Sequence, residues 1–484
     1  MKLCDVLQDI EILECTADLQ QEIGGICYDS RAAKPGDLFT AIVGFESDGH
    51  RYIPGAVEHG ASVVLCEKVP EINVPYIRVV NSRLALALAS RNFFGNPSGE
   101  MTMIGVTGTN GKTTSTLLMK HVLEETLDAK VGLIGTNANM IGDEVLPTER
   151  TTPESYELQK LFREMADAGC THVVMEVSSH SLVLDRVAGI RFALGIFTNL
   201  TQDHLDFHKT MEAYAEAKAK LFTVCDRAVI NYDDPYGDYM IQNAECPVLS
   251  YSEKSNEADL VAKDLKLRPD SVKFCAVTLG GIARVNLGIP GRFSVYNALD
   301  VLAGAMSLGI SLDEAAAALS SAKGVKGRME PVPTDGDYTI LIDYSHTPDA
   351  LENVLKAVRE TGNGRVVAVF GCGGDRDRTK RPIMGRIGTE LSDFAIITSD
   401  NPRTEDPEAI IQEIIAGVSA EKDRWIAVND RREAIAYAIE NHKPGDVIVL
   451  CGKGHETYQE INHVKYHMDE REIVAEILEG RKNK

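Results

Sequence analysis

The sequence predicts an α/β protein of three domains. These are a small α/β domain over residues 1–98, a central P-loop-type domain of mostly parallel sheet and helices over 99–330, and a Rossmann-like domain over 331–484. Three observations carry that expectation. At 484 residues the chain is longer than one ordinary core serves. From residue 100 onward, short apolar runs alternate with helical stretches, the rhythm of a parallel sheet covered by helices. One of those alternations holds Gly108-Thr-Asn-Gly-Lys-Thr-Thr114, a glycine-rich turn between a strand and a helix.

In the first region, Cys27-Tyr-Asp-Ser-Arg31 precedes Lys34-Pro-Gly-Asp-Leu-Phe39, a turn that enters an apolar strand. Ala61–Cys66 reads as a strand, Leu84–Ala89 lies in a helix, and Asn96-Pro-Ser-Gly99 is a turn cluster at the first boundary. The second region opens on Met101–Val106, which reads as a buried strand, and Ser115–Glu125 has helical spacing of apolar residues. Between them, glycines let backbone N–H groups turn inward, the helix N-terminus and Lys112 add positive charge, and the Thr113 hydroxyl can bind Mg²⁺. A nucleoside triphosphate is the implied ligand. Two residues separate Gly108 from Gly111, fewer than in the usual phosphate loop, and a plain Rossmann-like turn is the alternative.

Further strands are expected at His172–Val177, Leu194–Phe197 and Arg227–Ile230, with functional residues at their carboxyl ends. Glu176, at such an end, suits a Mg²⁺ ligand or a solvent-facing loop position. In Thr198–His208, Asp203, His204, Asp206 and His208 suggest metal or phosphate chemistry, or loop caps. Lys218, in the helical segment Tyr214–Phe222, reads from its neighbours alone as a solvated surface residue. The third region, opened by Pro331 and Pro333, has strands at Thr339–Ile342, Arg365–Phe370, Phe394–Thr398 and Asp446–Leu450. Asp343 follows the first of these and suits ribose hydroxyls or a helix cap before Pro348. Gly373–Arg378 and Asp400–Arg403 follow two of the others, and their arginines suit bidentate grip on carboxylate or phosphate, or internal salt bridges; Gly452–Glu456, after the last strand, adds a glycine turn, two possible cations and an acid.

Composition excludes several classes. Hydrophobic residues make up 44% and charged residues 25%, the proportions of a globular protein. A formal net charge of −22 argues against nonspecific nucleic-acid binding. Anionic small ligands stay open, because a pocket can oppose the overall charge. The segment MKLCDVLQDIEILE carries acids where a signal peptide is basic and then apolar. No apolar run approaches the roughly 20 residues of a membrane span. The ten cysteines form no C-x-x-C pair, so neither a zinc site nor a disulfide framework is indicated, and a cytoplasmic location fits.

Together these segments resemble the Mur ligases, the ATP-dependent amino-acid-adding enzymes of bacterial peptidoglycan synthesis. The resemblance spans the chain. It runs through GTNGKTT at 108–114 (with the family's own glycine spacing), TTP at 151–153, EVSSH at 176–180, the NLTQDHLDFH run and YxxAKxxLF at 214–222. It continues through GRFSVYNALD at 291–300, GRME at 327–330 and DYSHTPD at 343–349. YDSR at 28–31 with PGDLF at 35–39 resembles a uridine-binding N-terminal domain, and DNPR at 400–403 the signature of diaminopimelate-adding members.

The resemblance implies a ligase that converts the D-Glu γ-carboxylate of UDP-MurNAc-L-Ala-D-Glu to an acyl phosphate and joins it to meso-diaminopimelate. It implies ATP and Mg²⁺, with Lys112, Glu176, His204 and Lys218 as catalytic residues. Thr113 and Glu176 would hold one Mg²⁺, and His204 and Lys218 would help hold a second. An ammonium does not bind Mg²⁺, so Lys218 is implied to be carbamylated. ATP contacts are implied for Gly108, Thr109, Asn110, Gly111, Lys112, Thr113, Thr114, Asn297, Arg328 and Asp343. Ser30, Thr151, Thr152, Ser178, Arg186 and Lys218 would meet the UDP-substrate, and Leu184 stands where some members have glutamine. Arg376, Asp400, Asn401, Pro402, Arg403, Gly452 and Glu456 would bind the amino acid. A monomer without nucleic-acid partners is expected. The rivals are a lysine-adding member, a folylpolyglutamate synthase-like ligase, and a nucleotide-binding switch without ligase activity.

Overall fold

The computed structural model describes residues 1–44, 47–148, 150–322, 324–361, 364–419 and 421–482. By internal contacts the chain forms two units, Met1–Leu260 with Asp300–Ala315, and Val261–Leu299 with Ala316–Lys484.

The first unit begins with a five-stranded sheet. Its strands are β1 (Ile12–Cys15), β2 (Gly25–Cys27), β3 (Asp37–Thr40), β4 (Val63–Cys66) and β5 (Tyr76–Val79), in the order β1-β5-β4-β3-β2. All neighbours are parallel except β1 with β5. The run Val-Val-Leu-Cys of β4 is buried throughout, as a strand covered on both faces must be. Leu38, Val63, Leu65 and Ile77 pack under the helix Ser82–Phe93, and Phe39, Val64 and Cys66 pack against the other cover. Asn81 caps that helix, its side chain accepting from the N–H groups of Arg83 and Leu84.

The central sheet of this unit comprises β6 (Thr102–Thr107), β7 (Val131–Ile134), β8 (Asn139–Ile141), β9 (Glu144–Leu146), β10 (His172–Glu176), β11 (Leu194–Phe197), β12 (Ala228–Asn231) and β13 (Val248–Ser252). Their order is β13-β12-β11-β6-β10-β7-β8-β9. The pairs from β13 to β7 are parallel, and the β7-β8-β9 excursion is antiparallel. The helix Lys112–Leu127 lies over this sheet and buries Leu118, Met119, Val122 and Leu123. The expected strand positions hold to within a residue or two, the normal uncertainty of an element's end.

The second unit departs from the expectation of alternating parallel strands through the second region. β14 (Leu260–Leu267), β15 (Val272–Thr278) and β16 (Gly281–Leu287) form an antiparallel meander. Val272, Phe274 and Ala276 are buried, and Lys273 and Cys275 between them are partly exposed. That period of two belongs to a sheet with one wet face.

The second unit's main sheet comprises β17 (Glu330–Val332), β18 (Tyr338–Asp343), β19 (Val366–Phe370), β20 (Phe394–Ile397), β21 (Trp425–Ala427) and β22 (Asp446–Cys451). The order is β17-β18-β22-β19-β20-β21, parallel except for the edge strand β17. Helices Arg431–Glu440 and Glu470–Lys482 close a core of Ile340, Ile342, Val367, Val369, Ile448 and Leu450. A hairpin of β23 (Tyr458–Ile461) and β24 (Val464–His467) follows β22, and the sequence reading did not include it. Among the described residues no helix is long and apolar enough to cross a membrane.

Candidate active site

In the first unit the chemistry-bearing residues gather at the carboxyl ends of β6, β10 and β11. A Cβ on Gly108 would overlap the Thr198 hydroxyl, and Gly111 has φ +89°, so both positions need glycine. The segment after β11 moulds the loop. Thr109 N donates to Asn199 O at 2.8 Å and Asn110 N to Asn199 Oδ1 at 2.9 Å. Asn110 O accepts from Thr198 Oγ1 at 2.6 Å and from Asn199 Nδ2 at 3.0 Å. Lys112 Nζ donates to Gly108 O at 2.9 Å and Thr109 O at 2.8 Å, so its charge is held at the loop. Thr114 is buried beneath.

Glu176 pairs in register with Val106 of β6, which sets its carboxylate beside the loop. It is 1% exposed, which excludes the solvent-facing alternative. Its Oε1 accepts from Thr113 Oγ1 at 2.9 Å and from Thr136 N at 2.9 Å, and its Oε2 from Thr136 Oγ1 at 3.0 Å. One hydroxyl and one carboxylate suit Mg²⁺, which takes oxygen donors and completes its shell with phosphate oxygens and water. Among the described residues no three His, Cys, Asp or Glu side chains converge as a self-sufficient metal cage.

Lys218 corrects the reading from its neighbours. It is 1% exposed, not solvated, because the helix Met211–Ala219 buries Tyr214, Ala215, Ala217 and Ala219 and carries Lys218 inward with them. Its Nζ donates to Gly108 O at 2.8 Å and stands 4.5 Å from the Tyr214 ring centre. Burial, then the Lys112 cation, hold its pKa well below the ordinary lysine value. His204 is exposed and has φ +52° at the start of the helix Leu205–His208. Its ring lies 4.9 Å from that of His180 and 6.3 Å from that of Tyr214. His208 Nε2 is 2.8 Å from Ser179 Oγ, and the side chain of Asp206 lies outside the described residues.

The expected UDP-substrate residues surround the end of β10. Thr152 Oγ1 donates to Glu176 O at 2.8 Å and to Ser178 Oγ at 3.3 Å, and Ser178 caps the helix Ser179–Val183. Thr151 Oγ1 is 3.0 Å from Thr136 Oγ1. Arg186 pairs with Glu154 at 2.6 Å and donates to Thr152 O at 3.2 Å. Glu154, which the sequence reading passed over, is buried and also meets Arg83 and Arg150, each at 3.3 Å. Ser30 sits elsewhere, half-buried in the turn that Ala32 N closes onto Asp29 O at 3.0 Å.

The second unit holds the remaining expected residues. Asp343, at the end of β18, is not the helix cap: Thr347 caps Pro348–Glu360 instead. Asp343 Oδ2 accepts from Met329 N at 2.8 Å, and Oδ1 accepts from Ser345 N and Oγ. Burial raises its pKa, and Arg328 opposes that rise. Arg328 lies over the Tyr344 ring at 5.3 Å. Asn297 is buried on the helix Arg292–Ser307.

The loops after β19, β20 and β22 converge. A Cβ on Gly373 would lie 2.9 Å from Arg403 Nη1, so its absence makes room for that guanidinium, and Arg376 Cγ stands 4.0 Å from the same point. Arg403, at φ +50°, donates from Nη1 to Gly374 O at 2.8 Å and pairs with Glu460 at 3.3 Å. Asp400 lies against Gly452, whose added Cβ would stand 2.5 Å from Asp400 Oδ2. Pro402 is buried. Asn401 Nδ2 donates to Glu456 Oε2 at 2.9 Å. Lys453 Nζ donates to the same oxygen at 2.7 Å and to Asn401 Oδ1 at 2.8 Å.

Below them, the buried Arg431 pairs with Glu470 at 2.8 Å. It also donates to Ser399 O at 3.3 Å and Cys451 O at 2.8 Å. Those carbonyls immediately precede Asp400 and Gly452. Sequence reasoning counted Lys453 only as a possible cation of its loop, and nothing local signalled Arg431 or Glu460.

Comparison with known proteins gives concordant results. The chain matches the Mur ligase family catalytic domain over residues 22–94, the Mur ligase middle domain over 106–305 and the Mur ligase glutamate ligase domain over 327–454. It is 49% identical to a UDP-N-acetylmuramoyl-L-alanyl-D-glutamate–2,6-diaminopimelate ligase of Clostridium tetani, over 99% of each chain. It is 46% identical to the protein of that name from Clostridioides difficile, again over 99% of each. A solved structure titled as the same ligase is 33% identical, covers 100% of both chains and superposes with a TM-score of 0.77. The sheets, the phosphate loop and full-length similarity at this level place the chain in the Mur ligase family.

Proposed function

We propose that this chain is the ligase that adds meso-diaminopimelate to the D-Glu γ-carboxylate of UDP-MurNAc-L-Ala-D-Glu, using ATP and passing through an acyl phosphate. One observation carries the choice of acceptor: Arg403 stands beside Gly373, on converging loops that also carry Asp400, Asn401 and Glu456, so the proposed acceptor pocket has a guanidinium for the distal carboxylate and acids for ammonium groups. Lysine lacks that carboxylate, so with lysine Arg403 keeps only Glu460 and the Gly374 carbonyl. A hydrogen bond to a charged group is worth about 1.5–3 kcal/mol, which favours diaminopimelate.

Lys112 would bear on the transferred phosphoryl group, and the loop N–H groups would hold its neighbours. Thr113 and Glu176 would hold one Mg²⁺, and His204 and a modified Lys218 would contribute to a second. When bound, Mg²⁺ neutralises charge between the carboxylate and the phosphoryl oxygens. Lys218 is suited to modification: burial and the Lys112 cation hold its pKa well below the ordinary lysine value, which favours the neutral amine, and a neutral amine adds to CO₂, releasing a proton and leaving an anionic carbamate. Labelled bicarbonate should give a carbamate resonance that Lys218→Ala abolishes; a wild-type protein without that resonance would overturn the modification.

Asn297, Arg328 and Asp343 would complete the ATP contacts, and Ser30, Thr151, Thr152, Ser178 and Arg186 would meet the nucleotide-peptide. The proposed domains are 1–98, 99–330 and 331–484, and the proposed setting is a cytoplasmic monomer. The deciding experiment measures phosphate release with UDP-MurNAc-L-Ala-D-Glu, ATP and Mg²⁺, comparing meso-diaminopimelate with L-lysine. Release with diaminopimelate is expected. Equal turnover of lysine would remove the argument from Arg403, and release with neither would overturn the ligase reading.

A further inference from the structure

We propose that Lys453 determines acceptor specificity. Its buried ammonium offsets acidic charge beside the amino-acid pocket, which disfavours an acceptor with a surplus positive charge relative to a zwitterion of zero net charge. The inference rests on the reading of that pocket given above.

Lys453 is 0% exposed, although it stands in the glycine-flanked turn Gly452-Lys-Gly454 that follows a strand end. A lysine in such a turn ordinarily points to water, and a buried ammonium persists only where it is paired and hydrogen-bonded. Here the pairing closes a triangle. Lys453 Nζ reaches Glu456 Oε2 and Asn401 Oδ1, and Asn401 Nδ2 returns to Glu456 Oε2. Asn401 Oδ1 also accepts from Glu460 N at 2.9 Å, which fixes the orientation of the amide. Lys453 Nζ and Asn401 Nδ2 both use Oε2 of Glu456.

The triangle has an electrostatic consequence. Lys453 is a buried cation among the acids Asp400, Glu456 and Glu460 of these loops and the hairpin, beside Arg376 and Arg403. Diaminopimelate carries two ammonium and two carboxylate groups. Lysine carries one positive charge in excess. Removing the Lys453 charge makes its surroundings more negative by one unit, which repels the distal carboxylate of diaminopimelate and attracts the surplus charge of lysine.

The test is acceptor kinetics for Lys453→Met and Lys453→Gln; glutamine keeps two hydrogen-bond donors and removes the charge. In both variants kcat/KM for meso-diaminopimelate should fall about tenfold or more, chiefly through KM. The preference for diaminopimelate over L-lysine should shrink by a similar factor, and KM for ATP should stay within about twofold of wild type. An equal loss for both acceptors would mean a merely structural role and would overturn the proposal, as would an unchanged preference. If the methionine variant does not fold, the glutamine variant decides. A wild-type enzyme that ligates neither acceptor overturns the functional reading itself, which sets that failure apart from a failure of the charge argument.

Discussion

Single side chains in this protein titrate according to what surrounds them, and His455 shows how that reaches stability. Its ring lies 4.8 Å from the Tyr344 ring, and burial, then Arg328, lower its pKa from 6.5 to about 4. Between those two values the unfolded chain binds a proton that the folded chain refuses. Stability therefore rises with pH across that window and is lost as pH falls from 6.5 toward 4. His455→Gln should flatten the acid limb of a urea-midpoint profile relative to wild type; an identical slope in both would show that His455 does not contribute. Lys218 makes a related point about legibility. Its residue type and helical setting were plain in the sequence, but its burial was not, because packing beneath Gly108 is a contact across more than a hundred residues of chain.

Strand ends and helix starts do the positioning at the next scale, and Arg431 is where several of them meet. It begins the helix Arg431–Glu440, capped by Asp430, and reaches the last carbonyls before two functional loops. The strands concerned, β20 and β22, are not neighbours, since β19 runs between them, so no ladder hydrogen bond could fix one loop against the other. Arg431→Met should destabilise the second unit by about 3–5 kcal/mol, because it leaves the Glu470 carboxylate buried without its partner. Chemical denaturation checks this, and a change below about 1 kcal/mol would mean that water or another cation replaces Arg431. The strands that carry the site were legible because parallel, doubly covered strands read as unbroken apolar runs, such as Val366–Phe370 and residues 447–451. The hairpin β23–β24 was not: its Val464, Tyr466 and Ile461 are exposed, so no burial pattern marks it, yet it supplies Glu460 to Arg403.

Across the whole molecule, the residues proposed for activation and those proposed for acceptor binding fall in different units. Lys112, Glu176 and Lys218 belong to the unit containing Met1–Leu260; Arg376, Arg403, Lys453 and Glu456 belong to the one containing Ala316–Lys484. Lys112, Arg376 and Glu456 were readable in the sequence because each lies in a glycine-containing loop after a strand, and Glu176 and Arg403 because they stand at or just after strand ends; Lys218, inside a helix, was not. Their assignment to separate chemical steps rests on the family resemblance. If the steps are separable, so are their defects. Hydroxylamine intercepts acyl phosphates as hydroxamates without needing the acceptor pocket. In Arg403→Ala, hydroxamate formation from ATP, Mg²⁺ and UDP-MurNAc-L-Ala-D-Glu should persist near the wild-type rate, while amide formation with diaminopimelate falls about tenfold or more. Lys112→Ala should lose both, because its charge is needed before any acyl phosphate exists. Loss of hydroxamate in Arg403→Ala would show that the acceptor loops also govern activation, and the division of labour between the units would have to be abandoned.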